Sequence, residues 1–433
     1  MLRSLILSSN MLLNDISSTL GKLGMLEVLD LSRNFLSGLI PPVLGNCRQL
    51  KLLVLKNNFG PLLSKNDSAL TLQEEEEEEE EDFNSFDGEL PSSIVKLPNL
   101  RVLWAPNSNL EGIFPQDWGS CSNLELLNLA QNYFTGQVSA SLGNCKSLYF
   151  LDISSNNLTG LFPEKVSVPC MIVFNISGNS FSGDVPNFSH SECTKMFANQ
   201  SLSHMDLLGF YPSFFYLNAL ASIGTLFLPS DRLAVLHDFS NNMFVGPLPP
   251  IQIAPSRFYG MPSYGFWFHG NNLEGNISSY SFDPYLSFDS LIFDIGNNKI
   301  TGELPSELGG CCKCIKLLNL AGNEIVGSMV QFLLSFAYLG SLVNLNFSRN
   351  KLQGPIPSYI GQMKDLRYLS FSRNDFTGAI PRELAQLTSL EVLELSSNSL
   401  SGEIPPDFSK LEHLHILLLD HNHLSGADTL QFW

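Results

Sequence analysis

The sequence predicts an α/β solenoid: a right-handed superhelix of about 15 coils with a parallel β-sheet on its concave face. Three observations predict this fold. A hydrophobic pattern returns about every 24 residues over most of the 433-residue chain, an asparagine recurs at one place in it, and glycine and proline follow that asparagine at fixed distances. A repeat of this length is typical of coils that stack and share one continuous core.

The first part of each repeat predicts a short strand. Aligned copies give L-x-x-L-x-L-x-x-N-x-L-x-G-x-(I/L/V)-P, and L-x-x-L-x-L carries the alternation of a β-strand. In the copy that contains LELSSNSLSGEIP, the leucines Leu390, Leu393 and Leu395 are expected to point inward. The residues between them then face solvent, so stacked copies form a parallel sheet with one exposed face.

The recurrent asparagine predicts a ladder of hydrogen bonds between coils. An Asn side chain offers donors and an acceptor to backbone groups left without partners where the strand ends. Each such group, if buried unpaired, costs about 1–3 kcal/mol. Glycine four residues later permits a turn, and proline fixes φ beyond it. The ladder residue is Ser108 in one coil. In the other coils it is Asn10, Asn34, Asn58, Asn132, Asn156, Asn179, Asn242, Asn271, Asn298, Asn323, Asn350, Asn374, Asn398 and Asn422.

Two insertions interrupt the repeat and set the predicted domains. Residues 1–186 form coils 1–7, with an acidic low-complexity insertion at about 64–86. Residues 187–232 form an island-like apolar insertion, and residues 233–433 form coils 8–15 with a truncated end. Residues 207–228 have the length of a membrane span, but a proline, an asparagine and several hydroxyls favour packing against the solenoid.

Composition excludes several classes of function. Residues 74–82, EEEEEEEED, supply nine of the 18 net negative charges, which leaves a net charge of −9 elsewhere. This acidic run is interpreted as a solvated loop. The chain offers no basic patch for nucleic acid. It also lacks a phosphate-binding loop, a kinase-type lysine and a nucleophile elbow, so neither enzymatic activity nor a cofactor is expected.

The cysteines predict one disulfide. Four of them share one position in the repeat, which favours small buried hydrophobic side chains over chemistry. These are Cys47, Cys121, Cys145 and Cys311. Cys170 and Cys193 flank the start of the long insertion, and a disulfide between them would hold its base. Cys312 and Cys314 stay unassigned.

No metal site is predicted. The terminal coil holds four histidines, which alternate around the coil instead of converging at a ligand spacing. They are His413, His415, His421 and His423. The cysteines near 311–314 lack a second ligand cluster.

Seven N-x-S/T sequons favour a secreted or extracellular setting. They are Asn66, Asn157, Asn175, Asn187, Asn199, Asn276 and Asn346. Two of these, Asn175 and Asn346, lie at outward strand positions, where a glycan would obstruct a ligand.

An arginine pair is the most specific binding hypothesis in the sequence. Arg349 and Arg373 directly precede the ladder asparagine in adjacent coils, so stacking places them side by side. Arginine suits bidentate binding of carboxylate, and the pair is interpreted as a clamp for a peptide C-terminus. The alternative is solvated arginines beside acids such as Asp375. The predicted surface, on coils 8 to 13, also includes Trp267, His269, Asp294 and Tyr368.

The pattern resembles the plant extracellular leucine-rich-repeat class. The stretches LWAPNSNLEGIFP and VPCMIVFNISGNSFSG are similar to toadstool-type receptor-like protein kinases. This resemblance implies a single-pass plasma-membrane receptor with an outside solenoid, a cytoplasmic Ser/Thr kinase and a role in development. It further implies signalling by small secreted peptides. Signal peptide, paired-cysteine cap, membrane span and kinase are not in this sequence, so it is expected to be a fragment or a truncated gene model.

The expected function is recognition of a secreted peptide or a co-receptor kinase on the inner face of a receptor ectodomain. The expected location is the outer side of the plasma membrane, or secretion if no span follows. One rival is a secreted inhibitor of a cell-wall hydrolase, although such inhibitors are typically shorter and lack a long insertion. The other rival, an active kinase, requires sequence beyond Trp433.

Overall fold

The solenoid is confirmed by a computed structural model of the chain. The structure describes residues 2–56, 83–188, 234–251, 253, 262–280, 288–305, 314–337 and 341–426. The chain forms two compact units, one built on Met1–Ser182 and the other on Leu226–Ile251 and Gly260–Trp433. Several predicted features lie outside the described residues: the acidic run at 74–82, the apolar stretch at 207–228, Asn58, Asn66, Asn199, Cys193, Cys311 and Cys312.

Each coil contributes one strand to a parallel sheet. The strands of the first unit are Ser4–Ile6, Val28–Asp30, Leu52–Val54, Val102–Trp104, Leu126–Asn128, Phe150–Asp152 and Val173–Asn175. Those of the second unit are Ala234–Asp238, Ser263–Trp267, Ser290–Asp294, Ile315–Asn319, Asn344–Asn346, Tyr368–Ser370, Val392–Glu394 and Ile416–Leu418. Registered leucines stack inward: Leu369, Leu393 and their neighbours in the core are fully buried.

A second row of short strands follows the ladder residue of most coils. In the first unit these are Leu13–Asp15, Phe35–Ser37, Glu111–Ile113, Tyr133–Gln137, Asn157–Gly160 and Ser180–Asp184. In the second unit they are Met243–Val245, Glu274–Asn276, Lys299–Glu303, Glu324–Gly327, Lys351–Pro355, Asp375–Ala379, Ser399–Gly402 and His423–Leu424.

Short helical turns return the chain to the next coil. The 3-10 turns are Ser18–Lys22, Pro42–Asn46, Ala140–Asn144, Val168–Cys170, Ile277–Ser279, Ser358–Gln362, Arg382–Gln386 and Pro406–Lys410. The described α-helices are Ser92–Val95 and Val330–Ala337. Within the described ranges, no helix is both long enough and apolar enough to cross a bilayer.

The ladder asparagines join each coil to the one before it. In coil 5, Nδ2 of Asn132 donates to the carbonyl of Ala105 at 2.9 Å and to that of Leu129, in its own coil, at 3.0 Å. Its Oδ1 accepts from the Leu110 N–H at 3.0 Å. One side chain therefore satisfies backbone groups in two coils, and burial makes those groups costly to leave unpaired.

Coil 3 uses a different ladder residue from the predicted one. Asn58 lies outside the described residues, and Asn84 makes the ladder contacts of this coil. Its Nδ2 donates to the carbonyls of Leu31 at 2.8 Å and Leu55 at 2.7 Å, and its Oδ1 accepts from the Leu36 N–H at 2.8 Å. The insertion therefore falls before the ladder position, and NSFDGELP completes the interrupted repeat.

The residue directly before the ladder position is left-handed in every described coil except coil 3. Glycine occupies this place three times, as Gly178, Gly270 and Gly322. The other coils hold Ser9, Arg33, Asn107, Gln131, Ser155, Asn241, Asn297, Arg349, Arg373, Ser397 and His421 there, with φ between 46° and 57°. A side chain in this conformation costs about 1–2 kcal/mol relative to glycine, so the coil geometry fixes the backbone here.

The cysteine interpretation is wrong for one pair. Cys121 and Cys145 form a disulfide between adjacent coils, 24 residues apart. Cys47 shares their repeat position but is free and buried, and its Sγ donates to the Leu20 carbonyl at 3.3 Å. Cys170 and Cys314 are each in a disulfide as well, but not with each other.

Candidate ligand-recognition surface

The predicted binding residues lie on one exposed face of the second unit. We count positions back from the ladder residue, so that −1 directly precedes it. Positions −6, −4 and −2 of coils 8 to 15 lie on the side of the strands opposite positions −5 and −3, and we call these positions, together with position −1, the strand surface. Leu236 and Ile292, at position −6 of coils 8 and 10, are buried. The strand surface carries an acidic group on coils 8–10 and two arginines on coils 12 and 13.

His269 is the centre of the acidic group. Trp267, at position −4 of coil 9, is the register partner of Asp238 on one side and of Asp294 on the other. His269 follows two residues later, and its Nδ1 lies 3.4 Å from Oδ2 of Asp294. That is an ion-pair distance without the alignment of a full hydrogen bond. On the other side of the ring, Nε2 lies 3.2 Å from Nδ2 of Asn241. The imidazole thus lies between a carboxylate and an amide, and the charge of Asp238 acts on it from the preceding strand.

The carboxylates shift the titration of the histidine. Burial by itself would lower the pKa of His269, but the close contact with Asp294 and the charges of Asp294 and Asp238 raise it above its usual value. Burial also raises the pKa of Asp238, although the Ser240 hydroxyl and N–H oppose this shift. Both groups therefore hold protons in the folded state more strongly than in the unfolded chain.

Trp267 lies along the strand surface over Gly265. A Cβ added to Gly265 would be 2.0 Å from Cη2 and Cζ3 of the indole, closer than atoms can approach. Glycine at position −6 therefore makes room for an aromatic ring on this face. Trp267 is among the predicted binding residues, whereas Gly265 and Asp238 are not.

The acids also have a structural role. Oδ1 of Asp294 accepts from the Gly296 N–H at 3.0 Å, and Oδ1 of Asp238 accepts from the Ser240 N–H at 2.8 Å. Asp152 makes the same contact in the first unit, to Ser154 at 3.0 Å. An Asp or Asn at position −4 is thus a repeated device for holding the end of the strand, and the second carboxylate oxygen of Asp294 lies next to His269.

Tyr368 holds a carboxylate on the strand surface. Its hydroxyl donates to Oε2 of Glu394 at 3.1 Å, and the Ser370 hydroxyl donates to the same oxygen at 2.8 Å. Burial and the charge of Glu394 raise the pKa of Tyr368. Tyr368 is therefore occupied by Glu394 in this state.

Arg349 and Arg373 lie in adjacent coils, which backbone hydrogen bonds join at this position. The Arg349 N–H donates to the Ser372 carbonyl at 2.8 Å, and the Arg373 carbonyl accepts from the Asn350 N–H at 3.2 Å. Both side chains are exposed. Neither pairs with an acid within the described ranges, unlike Arg367, whose Nη1 lies 3.5 Å from Oε1 of Glu391.

Sequons and histidines occupy unlike environments. Asn175 is 7% exposed, its Nδ2 donates to Asp152 at 3.3 Å, and its Oδ1 accepts from the Ser177 hydroxyl at 2.7 Å. Asn346 is half-buried, whereas Asn157, Asn187 and Asn276 are exposed, and Asn66 and Asn199 lie outside the described residues.

The histidines at 413, 415, 421 and 423 are all exposed. In the part of the chain that the structure describes, no group of three His, Cys, Asp or Glu could hold a metal ion.

Sequence comparison supports the repeat class. The model of the Leucine Rich Repeat family matches seven segments: residues 25–47, 123–145, 147–167, 291–311, 341–363, 365–387 and 389–411. Together with the parallel strands, these matches define the protein as a leucine-rich-repeat solenoid. No curated protein is significantly similar to this sequence.

Solved structures share the fold. The Arabidopsis receptor kinase HAESA ectodomain, in complex with an N-terminally extended IDA peptide hormone, aligns with TM-score 0.67 at 23% identity. The alignment covers 98% of this chain and 63% of that chain, so this chain spans less than two thirds of that ectodomain. A TDR receptor aligns with TM-score 0.50 at 20% identity, over 97% of this chain and 76% of that chain.

The same fold occurs outside plants. A leucine-rich-repeat protein of Leptospira interrogans aligns with TM-score 0.52 at 22% identity, over 98% of this chain and 91% of that chain. At such identities the comparisons show the fold alone, and function has to be argued from the surface.

Proposed function

We propose that this chain is the extracellular ligand-recognition module of a plant leucine-rich-repeat receptor kinase and that it binds a small secreted peptide, or a co-receptor, without performing catalysis itself. One observation carries the proposal: the strand surface of the second unit bears opposite charge at two places. Asp238 and Asp294 flank His269 on coils 8–10, and Arg349 and Arg373 are unpaired by described acids on coils 12 and 13. Peptide hormones in complex with plant ectodomains of this fold, as in HAESA with IDA, support this class of ligand.

The spacing of the two charged groups fits a short extended peptide. Five strand steps separate Asp238 from Arg373, and neighbouring strands are about 4.8 Å apart, which gives about 24 Å. An extended chain covers this distance with about seven residues. The arginines would bind its C-terminal carboxylate, and the carboxyl groups of Asp238 and Asp294 would bind a cationic side chain or the N-terminal amine. The Trp267 indole lies beside the acids and offers a face to such a cation.

The test uses the charge of the peptide terminus. Heptapeptides selected from a library with free C-termini are titrated by calorimetry, each as the free acid and as the amide. We expect the unaltered protein to prefer the acid, and the double variant Arg349→Gln/Arg373→Gln to lose about tenfold in affinity for the acid alone. Glutamine already occupies the same left-handed position as Gln131, so the variant retains the backbone.

Arg382 provides the matched control. Its side chain is 80% exposed on a return turn, away from the strand surface, so Arg382→Gln should leave both affinities unchanged. If the unaltered protein bound the acid and the amide with equal affinity, the hypothesis that the arginines bind the peptide carboxylate would be refuted. Failure of every library peptide to compete on this surface would refute peptide recognition there.

A further inference from the structure

The second-row strands of coils 4 to 6 form a small outward-facing platform in the first unit. Glu111–Ile113, Tyr133–Gln137 and Asn157–Gly160 pair in parallel. Thr135 is the register partner of Ile113 on one side and of Asn157 on the other. The alternation of the strand turns the residues between them inward, where Phe134 and Leu158 are fully buried.

Two large apolar side chains on this platform are exposed. Tyr133 is 64% exposed and Ile113 is 61% exposed. Tyr133 lies two residues before Thr135, on the same face, which makes it the diagonal neighbour of Asn157. Diagonal neighbours on a sheet are within reach of aromatic and long side chains. Apolar groups of this size, next to each other and without cover, fit a partner that lies flat on the sheet.

Asn157 begins the sequon Asn157-Leu158-Thr159. Its side chain is exposed and its amide has no hydrogen-bond partner among the described residues, whereas the amide of Asn175 is buried and engaged at both ends. Asn157 pairs with Thr135 of one neighbouring strand, and Thr159, two residues on, pairs with Ser180 of the other. A group attached to Nδ2 would therefore leave the sheet beside Tyr133, in a constant direction.

We propose that Asn157 carries an N-linked glycan whose first sugar packs on the Tyr133 ring and reaches toward Ile113. In the transfer, Nδ2 forms a bond to C1 of the sugar of a lipid-linked oligosaccharide pyrophosphate. The pyrophosphate leaves with the bonding electron pair, and Nδ2 loses one proton to the transferase. The transfer precedes folding, so the finished strand only has to leave room for the product.

The packing follows from the chemistry of the two faces. A pyranose presents a row of C–H groups on one side, and an aromatic ring is a large apolar surface that prefers specific contacts. The Tyr133 hydroxyl at the rim can meet the polar edge of the sugar. The contact covers apolar surface that is otherwise in water. This site rests on the extracellular location proposed above but lies on a different unit from the strand surface.

The first experiment measures occupancy. The chain is secreted from insect cells behind an added signal sequence, digested, and read by glycopeptide mass spectrometry. We expect the peptide that contains Asn157 to be found mainly in glycosylated form. The peptide that contains Asn175 should be bare in the secreted protein, because the folded strand leaves no room for a glycan there. Asn157→Gln should remove one glycan from the intact mass. An unmodified Asn157 beside a modified Asn187 overturns the site and leaves the proposed peptide recognition standing.

The second experiment measures the contact with Tyr133. Melting temperatures are compared for the glycoprotein, Asn157→Gln, Tyr133→Ala and the double variant. Loss of the glycan should lower Tm by about 1–2 °C when Tyr133 is present and leave it unchanged when Tyr133 is alanine. Trimming the glycan to its first sugar should retain the effect. An equal shift with and without the tyrosine overturns the packing.

A separate readout isolates this site from the proposed function. Asn157→Gln should bind library peptides as the unaltered protein does, because coils 4–6 are not part of the strand surface. If the glycan is present and packs as described while no peptide binds, the glycan site at Asn157 is supported and peptide recognition by the strand surface is refuted. A loss of peptide affinity in Asn157→Gln would overturn the assignment of this platform to a glycan alone.

Discussion

Replacing the ladder residue Asn374 with alanine should cost far less than its hydrogen bonds suggest. Its Nδ2 donates to the carbonyls of Phe347 at 2.9 Å, Phe371 at 3.1 Å and Ser372 at 3.3 Å, and its Oδ1 accepts from the Leu352 N–H at 3.0 Å. Four contacts therefore disappear together. The cost depends on which of the four backbone groups finds another partner.

Three of the four groups retain a partner. The Phe347 carbonyl also accepts from Asn350 at 3.2 Å, and the Phe371 carbonyl also accepts from Asn398 at 3.0 Å. The Ser372 carbonyl accepts from the Arg349 N–H. Only the N–H of Leu352, a residue that is 1% exposed, is left unpaired. One orphaned buried donor costs about 1–3 kcal/mol, so we expect the free energy of unfolding to fall by about 2 kcal/mol.

The shared carbonyl makes the ladder non-additive. In Asn350→Ala/Asn374→Ala, the Phe347 carbonyl loses both donors, so the double variant should be destabilised by about 1–2 kcal/mol more than the sum of the single variants. Urea unfolding measures the total, and hydrogen exchange read by mass spectrometry should show lost protection at Leu352. Asn10→Ala is the control. It is exposed and bonds only its own coil, at 3.0 and 3.2 Å, so it should cost under about 0.5 kcal/mol.

Two results would refute this reasoning. A cost of about 4 kcal/mol or more for Asn374→Ala would mean that the shared carbonyls do not retain their second partner. Strict additivity of the double variant would mean that the Phe347 carbonyl does not couple the two coils.

Three further predictions follow from the sites described. Because the pKa of His269 is raised in the folded state, its contribution to stability should be fully present below its unfolded pKa of about 6.5 and be lost as pH rises through the folded pKa, and His269→Gln should remove that part of the pH dependence. Gly265→Ala should push the Trp267 indole off the strand surface, seen as a red shift of tryptophan emission. Reducing Cys121–Cys145, which closes a 24-residue separation, should lower the free energy of unfolding by about 3 kcal/mol.

Each of these predictions has a matched control. His415→Gln changes an exposed histidine and should leave the pH dependence between 6 and 8 unaltered. Gly24→Ala adds a Cβ with no atom within 4 Å and should not move the emission. The variant Cys47→Ser removes a free thiol, so its effect should be much smaller than reduction and should not depend on reductant. The same response in variant and control would contradict the prediction concerned.

The fold was predictable because its signal is repeated. Leucines at a fixed spacing predict the strand, its inward side and the stacking at once, and errors in one coil are corrected by the others. The predicted ladder residue is wrong only at coil 3, because Asn58 lies one period after Asn34. The template residues NSFDGELP, on the C-terminal side of the insertion, indicate Asn84 instead. The disulfide had a signal too: one period in sequence is one coil in space, so Cys121 and Cys145 had to be neighbours.

The candidate site was less predictable, because it depends on side-chain packing. Register places Trp267 between two acids, and that follows from the repeat. That the indole lies over Gly265, and that one oxygen of Asp294 holds the Gly296 N–H, depends on rotamers that no spacing reveals. The left-handed conformation before the ladder residue was partly predictable, because glycine occupies this position as Gly178, Gly270 and Gly322. Arginine at the same position in other coils does not suggest a positive φ.

That left-handed residue separates what the fold requires from what a ligand meets. The coil dictates its backbone, yet glycine, serine, asparagine, glutamine, arginine and histidine all occupy it, so the side chain can be exchanged for about 1–2 kcal/mol of strain relative to glycine. From coil 12 to coil 15 the row reads Arg349, Arg373, Ser397 and His421. A solenoid built this way can change the chemistry of its surface one residue per coil, while the scaffold beneath stays the same.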